Sequence, residues 1–272
     1  MIIALAQQHA AESIAENIER GLAAMAEAKA KGADVVAFAE LSFMRFFPVA
    51  RGRKDAALAM AETIPGATTR RFAQRARELG LVTLINLYER DGDRCFDTSV
   101  VIDADGEILG RTRMLHIADF PGFHERDYYH PGDTAPRVYT THAGRIGIAI
   151  CYDRHYPEVM RAFGLASADL VVIPQAGTVG EWPEGVYEGE IRVAAFQNGY
   201  FAALVNRVGD EGALVFSGES FVSDPEGRVI ARAGTMTDEI LISELDLSML
   251  ERSTARRLFL RDRRADLHFG KA

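Results

Sequence analysis

The 272-residue chain is 48% hydrophobic with a formal net charge of −8, which gives ample apolar material for a large core and the wrong sign for a nucleic-acid or anionic-membrane partner. Its two cysteines, Cys95 and Cys151, cannot build a disulfide framework, and no CxxC or Cys/His cluster has zinc spacing, so neither metal nor cofactor is expected. No apolar run approaches ~18 residues, and the chain starts on a strand-like segment without a basic leader, which predicts no membrane span and a reducing, cytoplasmic setting.

In chain order, residues 2–6 read as a strand. Ile14, Ile18, Leu22 and Met25 recur at helical spacing within 11–31, and Gly32 stops that helix. The apolar run 35–39 predicts a buried strand that ends in Glu40. A helix over 66–79 ends at Gly80, before a strand at 81–87. Residues 98–115 form a hairpin that turns at 103–106, and 116–137 form a long loop, of a length that is usually functional or disordered. In 145–151, Ile146, Ile148 and Ile150 fall on one face and Gly147, Ala149 and Cys151 on the other, so a short buried strand ends in Cys151, followed by a turn and a helix near 156–166. A strand at 170–173, a helix near 184–198, a strand at 200–206, a hairpin over 218–233 and a last strand at 240–245 complete the chain. Strand and helix alternate without a linker or a clear short repeat. This predicts one α/β domain over residues 1–272, with mixed sheets and helices outside.

A thiol at a strand end just before a helix is well placed as a nucleophile, because a helix N-terminus lowers its pKa and the thiolate is the attacking species. The other reading is a buried structural thiol. Glu40 ends another buried strand, so a base and a nucleophile are expected to meet at one sheet edge, where ligands gather in α/β folds. A carboxylate raised toward neutrality by apolar surroundings can take a thiol's proton.

Three ordered stretches, Phe38-Ala-Glu-Leu-Ser-Phe43, the 110–133 segment and Ile146–Glu158, resemble the nitrilase, or carbon–nitrogen hydrolase, superfamily. The resemblance extends to Asn206–Glu211 and Arg261–Leu267, and so covers essentially the whole chain. It implies a four-layer α-β-β-α sandwich that usually forms a homodimer. It also implies hydrolysis through a thioester on Cys151, with Glu40 as general base, Glu125 positioning the substrate or assisting proton transfer, and the Tyr152 backbone N–H as an oxyanion donor. A solvated charge run is the alternative for Glu125, which lies beside Arg126 and Asp127.

One position departs from the family pattern. The family's Arg-Lys-x-His reads Arg113-Met-Leu-His116 here, so Met114 stands where a lysine donates to the developing oxyanion. Loss of one such donor typically costs ~10²–10³ in rate, and a thioether cannot donate. Arg113 through a local bulge, Arg111, Lys54 or Arg154 could replace it, the enzyme could work without it, or the chain is a silent or ligand-binding homologue. Arg113 meets a geometric obstacle, because neighbours along a strand face opposite sides.

The stretch Cys151–Glu158 is similar to the N-carbamoyl branch, which includes β-ureidopropionase. This implies a small amide or N-carbamoyl substrate, with Arg154 gripping a substrate carboxylate or else serving local structure. Phe43, Phe46, Phe47, Trp182 and Tyr187 are candidate pocket linings or core, and His116 and Arg113 are further candidate substrate contacts.

Overall fold

The structure, a computed structural model, describes residues 1–52 and 54–267; the Lys54 side chain, like residues 53 and 268–272, lies outside the described residues. β1 (Ile2–Gln7) turns Ile3 and Leu5 toward the molecule's centre and Ala4 and Ala6 toward the helices outside. α1 (Ile14–Ala30) is capped by the Ser13 hydroxyl, which accepts from the Glu16 N–H at 3.3 Å. β2 (Val35–Phe38), α2 (Lys54–Leu58) and α3 (Ala67–Leu79) follow, and Gly80 ends α3 in the left-handed conformation. β3 (Val82–Asp91), β4 (Arg94–Ile102) and β5 (Ile108–Arg113) form a meander.

A small hairpin, β6 (Asp119–Phe120) and β7 (Phe123–His124), runs into a 3-10 turn at Glu125–Asp127. The second half comprises β8 (Val138–Thr141), β9 (Gly144–Ile148), α4 (Pro157–Leu165), β10 (Leu170–Gln175), α5 (Val186–Asn198) and β11 (Phe201–Asn206). A hairpin of β12 (Val208–Asp210) and β13 (Val215–Ser217) precedes β14 (Phe221–Ser223) and β15 (Val229–Arg232). β16 (Glu239–Glu244) returns to the first half, and α6 (Ser248–Arg252) follows it.

The strands form two six-stranded sheets, ordered β16-β1-β2-β3-β4-β5 and β15-β14-β11-β10-β9-β8. Read from β16 and from β8, the two share one plan: an antiparallel pair, two parallel pairs, then two antiparallel pairs. Ile3, Leu5, Val35 and Leu84 meet Ile146, Ile148, Val172 and Phe201 between the sheets. Outside, Met25 and Phe72 of α1 and α3 cover the first sheet, and Phe163 and Ile191 of α4 and α5 cover the second. Each such side chain contributes ~1.5–3 kcal/mol on burial. This is the expected α-β-β-α sandwich with mixed sheets. Among the described residues no helix is long and apolar enough to cross a membrane.

Two local expectations change. The 116–137 segment is not structureless, since it holds the β6–β7 hairpin and the 3-10 turn. β9 stops at Ile148 and not at Cys151. The reason lies on the neighbouring strand. The Ala149 N–H donates to the Val172 C=O at 3.1 Å, so in a parallel ladder the Ala149 C=O would next accept from residue 174. That residue is Pro174, which has no N–H, and the ladder ends there.

Candidate active site

Freed from the ladder, the chain turns sharply into a 3-10 turn over Cys151–His155, with Cys151 at φ +44. A β-carbon is disfavoured in this left-handed region. α4 begins only at Pro157, so Cys151 does not sit on an α-helix N-terminus. The expected lowering of its pKa is absent. Burial, then the charges of Glu40 and Glu125, push the thiol well above its usual range, and Arg154 only partly offsets them. Gln175, the last residue of β10, donates from Nε2 to Cys151 Sγ at 3.2 Å.

Glu40 reaches the thiol from the other sheet, two residues beyond β2, so the pair meets between two sheets and not at the edge of one. It is completely buried. Burial first, then the Glu125 charge, raise its pKa to about 7, against the lowering effects of Asp97, Cys151 and Arg207. The groups facing its carboxyl are the Asp97 carboxyl and the Cys151 thiol, each a hydrogen-bonding neighbour that lowers its pKa. Its loop is held from both sides. The Leu41 N–H donates to Asn86 Oδ1 at 2.8 Å, and the buried Arg207 guanidinium donates to the carbonyls of Glu40, Leu41 and Met44 at 3.2, 2.8 and 2.9 Å. Arg207 also pairs with Glu211.

Glu125, at the start of its 3-10 turn, is buried in the same space. It accepts from the Ala118 N–H at 3.3 Å through one oxygen, and the other has no partner among the described residues. Burial, then the Asp97 charge, push it well up. The structure therefore brings Glu40, Glu125 and Cys151 together, and Tyr152 follows the thiol directly in the turn, where the first backbone N–H groups have no internal acceptor.

Arg154 donates from Nη1 to the Cys151 C=O at 2.9 Å and to Gln175 Oε1 at 2.7 Å, and lies 4.3 Å from the centroid of the Tyr187 ring. Its buried Nη2 has no acceptor among the described residues. His116 is elsewhere. It bonds Asp153 at 2.8 Å and stacks on Tyr156, tying its segment to the Cys151 turn.

Arg113 corrects an expectation. Its guanidinium turns away from the thiol, where Glu89 takes Nε and Nη2 at 2.9 and 2.7 Å, Asp91 takes Nη2 at 2.6 Å, and the Phe96 ring lies beneath at 3.8 Å. The register irregularity of the β4–β5 pair falls at Val101/Ile102, too far away to rotate it inward. Arg111 joins the same carboxylates. The Lys54 side chain lies outside the described residues. Met114, beside Arg113, is wholly buried in the layer between the sheets. Of the phenylalanines, Phe43 packs on Phe38 and Phe72 under the outer helices, and Phe47 packs on Tyr88, Tyr128 and Tyr129. Phe46 meets Phe123 and Phe216 edge-on, as Trp182 meets His155 and Phe120.

Three site residues escaped the sequence reading. Asp97 is buried next to Glu40, takes a 2.6 Å hydrogen bond from Asn86, and is pushed well up by burial and then by the Glu40 charge. Its signal was available: it shares the inward face of β4 with Cys95 and Val101, where a carboxylate is anomalous. Gln175 carries the signal that singled out Glu40, a polar residue closing an apolar strand. Tyr129, whose buried hydroxyl has no partner among the described residues, sits in a loop with no periodicity to betray it. A cleft of about 540 Å³, lined in part by Thr178, Glu181, Trp182 and Tyr187, opens nearby. Among the described residues no three His, Cys, Asp or Glu side chains are arranged to hold a metal ion.

A carbon–nitrogen hydrolase family model matches residues 2–255. N-carbamoylputrescine amidase of Arabidopsis thaliana is 30% identical over 283 residues, covering 98% of this chain and 94% of that protein. The crystal structure of a carbon–nitrogen hydrolase from Helicobacter pylori G27 superposes with a TM-score of 0.88 at 28% identity, covering 98% of this chain and 96% of the other. A glutamate-to-glutamine variant of the amidase from Nesterenkonia sp. AN1 (TM-score 0.81, 26% identity, 98% and 94% covered) carries the acetamide moiety of fluoroacetamide on its active-site cysteine.

Proposed function

The chain belongs to the carbon–nitrogen hydrolase family, of which its relatives place it in the N-carbamoyl amidohydrolase branch, and from that premise we propose that it cleaves a small amide or N-carbamoyl compound through Cys151. The observation that carries this reading is the facing pair of Cys151 and Glu40 in a buried gap, with Glu40 near neutrality.

Near pH 7 Glu40 is half deprotonated and can take the thiol proton as Cys151 Sγ attacks the planar carbon. The proton passes from Glu40 to the departing nitrogen, and ammonia or an amine leaves the thioester or carbamoyl-thioester. Water then attacks that carbon as Glu40 accepts its proton, and the thiol is regenerated. The Tyr152 N–H serves the oxyanion, Glu125 orients the leaving nitrogen, and Arg154 Nη2 is free to meet a substrate carboxylate.

The test is mass spectrometry of the protein after incubation with a panel of small amides and N-carbamoyl amino acids, with ammonia release measured in parallel. An acyl or carbamoyl adduct on Cys151 is expected, together with turnover that falls on the order of 10⁴–10⁶-fold in Cys151→Ala. Absence of both adduct and ammonia across the panel would sink the enzyme reading in favour of a silent homologue.

A further inference from the structure

Asp97 and Glu40 are both wholly buried, and their carboxyl groups are in hydrogen-bonding contact. Among the described residues neither is bonded to a guanidinium or an ammonium, since Arg207 gives its Nη groups to three carbonyls and Glu211. Two buried carboxyl groups in contact cannot both ionise, so a proton lies between them. The surrounding bonds say which oxygen carries it. The Leu41 N–H donates to Asn86 Oδ1 at 2.8 Å, which turns Asn86 Nδ2 the other way, to Ser99 Oγ at 3.1 Å and Asp97 Oδ1 at 2.6 Å. Oδ1 of Asp97 is therefore an acceptor, and Oδ2 is left as the oxygen that donates to Glu40. Burial and then the Glu40 charge hold Asp97 well above the usual carboxylate range, whereas Glu40 stands at about 7, so Asp97 is the member that keeps the proton.

The other groups turned to this space add no charge of their own. Glu125 and the Tyr129 hydroxyl are raised by burial in the same way and stay protonated, and Met114, whose backbone N–H donates to the Asp97 C=O at 3.0 Å, sets a thioether without a proton beside them. Before attack, then, the facing carboxyl groups hold one negative charge, on Glu40. Attack on a neutral carbonyl moves that charge without adding to it: the thiol proton goes to Glu40, and the charge appears on the substrate oxygen. Asp97 and the Cys151 thiol both bond the Glu40 carboxyl, so a carbon attached to that sulfur brings its oxygen next to Asp97. We propose that Asp97 is a catalytic residue whose Oδ2–H, bonded to the Glu40 carboxylate at rest, turns to the oxyanion when Glu40 takes the thiol proton. This rests on the reading of Cys151 as the acyl-transfer nucleophile, and it gives the oxyanion a second donor besides the Tyr152 N–H.

Each step balances. Glu40 takes the thiol proton as the C–S bond forms and the carbonyl π pair moves to oxygen. Asp97 hydrogen-bonds that oxygen and keeps its own proton. The pair on oxygen then re-forms the C=O bond and the C–N bond breaks. Glu40 gives its proton to the departing nitrogen, and the Asp97 O–H returns to the Glu40 carboxylate. Hydrolysis repeats the exchange with water as nucleophile and the Cys151 sulfur as leaving group. Asn86 acts here as a positioning residue, because its bond to Oδ1 leaves Oδ2 as the donor.

Two substitutions separate a neutral donor from a carboxylate and from a part of the scaffold. They are assayed on whichever member of the amide and N-carbamoyl panel the native protein turns over fastest. Asp97→Leu keeps a branched side chain without a donor, and kcat should fall ~10²–10³-fold with KM within ~3-fold. In Asp97→Asn the bond from Asn86 holds the amide oxygen, so the amide nitrogen donates in place of Oδ2, and kcat should stay within ~10-fold of native. Iodoacetamide alkylates a thiol by displacing iodide and forms no oxyanion. Its rate on Cys151, followed by mass spectrometry at about pH 8, should change less than ~3-fold in both variants. Alkylation slowed as much as turnover would make Asp97 a support for the thiol or the fold, and would overturn the proposal. So would unchanged turnover in Asp97→Leu, or Asp97→Asn falling as far as Asp97→Leu, which would mean that Asp97 acts as a carboxylate. If Asp97→Leu does not fold, Asp97→Asn decides alone: kcat within ~10-fold of native supports the neutral donor, and a loss of ~10² or more overturns it. All these outcomes leave the hydrolase reading standing, because native turnover is their reference. A native protein inert across the panel would remove both.

Discussion

The two halves of this molecule share one arrangement of strands and carry opposite chemical loads. The first sheet and the hairpin after it bring Glu40, Asp97 and Glu125 to the seam; the second brings Cys151, Gln175, Arg154 and Arg207. The sheets fix where the loops after their strands end, and the side chains there decide the charge. The acids without a thiol have nothing to deprotonate, and the thiol without the acids has no acceptor for its proton. The difference teaches that the reactive centre belongs to the interface of the halves, and the Arg207 guanidinium, rooted in one half and bonded to the loop of the other, is the tether that closes it.

The sharpest way to break the comparison is to disarm the acid half. Glu40→Gln should lower kcat/KM by ~10²–10⁴. In the native protein the rate should rise with pH through about 7, where Glu40 loses its proton, and the variant should lose that limb. The stability effect has the opposite sign. A pKa raised from 4.5 to about 7 means that the folded state binds the proton more tightly, so native stability is lost as pH rises through that window. Glu40→Gln should therefore unfold later than the native protein at pH 8, by on the order of 3 kcal/mol, and show no such advantage at pH 4. Chemical denaturation at both values checks it, and an equal gap at both would refute the assignment.

Cutting the tether comes next. Arg207→Met leaves Glu211 and three buried carbonyls short of a donor, and should cost about 3–5 kcal/mol in a urea melt. A loss under ~1 kcal/mol, the level of an exposed ion pair, would show that the halves hold their loops without it. The smallest effect is expected from the thiol half. Gln175→Leu removes the donor to Cys151 Sγ, and should slow turnover ~5–10-fold, in keeping with about 1 kcal/mol for a hydrogen bond. Because that donor favours the thiolate, iodoacetamide labelling of Cys151 should shift to higher pH in the variant; an unchanged profile would make Gln175 purely structural.

The fold was largely legible because its signals are local and repeated. Runs such as 35–39 and 170–173, separated by helices with Gly32, Gly80 and Gly199 at their ends, dictate strands and helices almost unaided. What distinguishes the site was less so. Glu40 and Cys151 stood out as reactive residues closing apolar runs, whereas Asp97 lies inside a hairpin and shows itself only through its inward parity with Cys95 and Val101. The error over the thiol came from reading Ile150–Cys151 as continuous strand. The ladder is broken by Pro174, twenty-three residues further on, and a pairing partner's missing N–H is invisible in the segment it interrupts. Arg113 likewise needed tertiary knowledge, because Glu89 and Asp91, which claim it, lie on the next strand but one along the chain.

The left-handed backbone at Cys151 carries a consequence for how this protein tolerates change. At φ +44 a glycine avoids a penalty of roughly 1–2 kcal/mol that any β-carbon incurs. Cys151→Gly should therefore be more stable than Cys151→Ala, which loses the same sulfur and the same bond from Gln175 but keeps the β-carbon. The reactive sulfur occupies a position whose conformation favours the one residue with no side chain, so random substitution screened for thermal endurance alone would drift toward an inert protein, and only a screen for turnover would keep the cysteine.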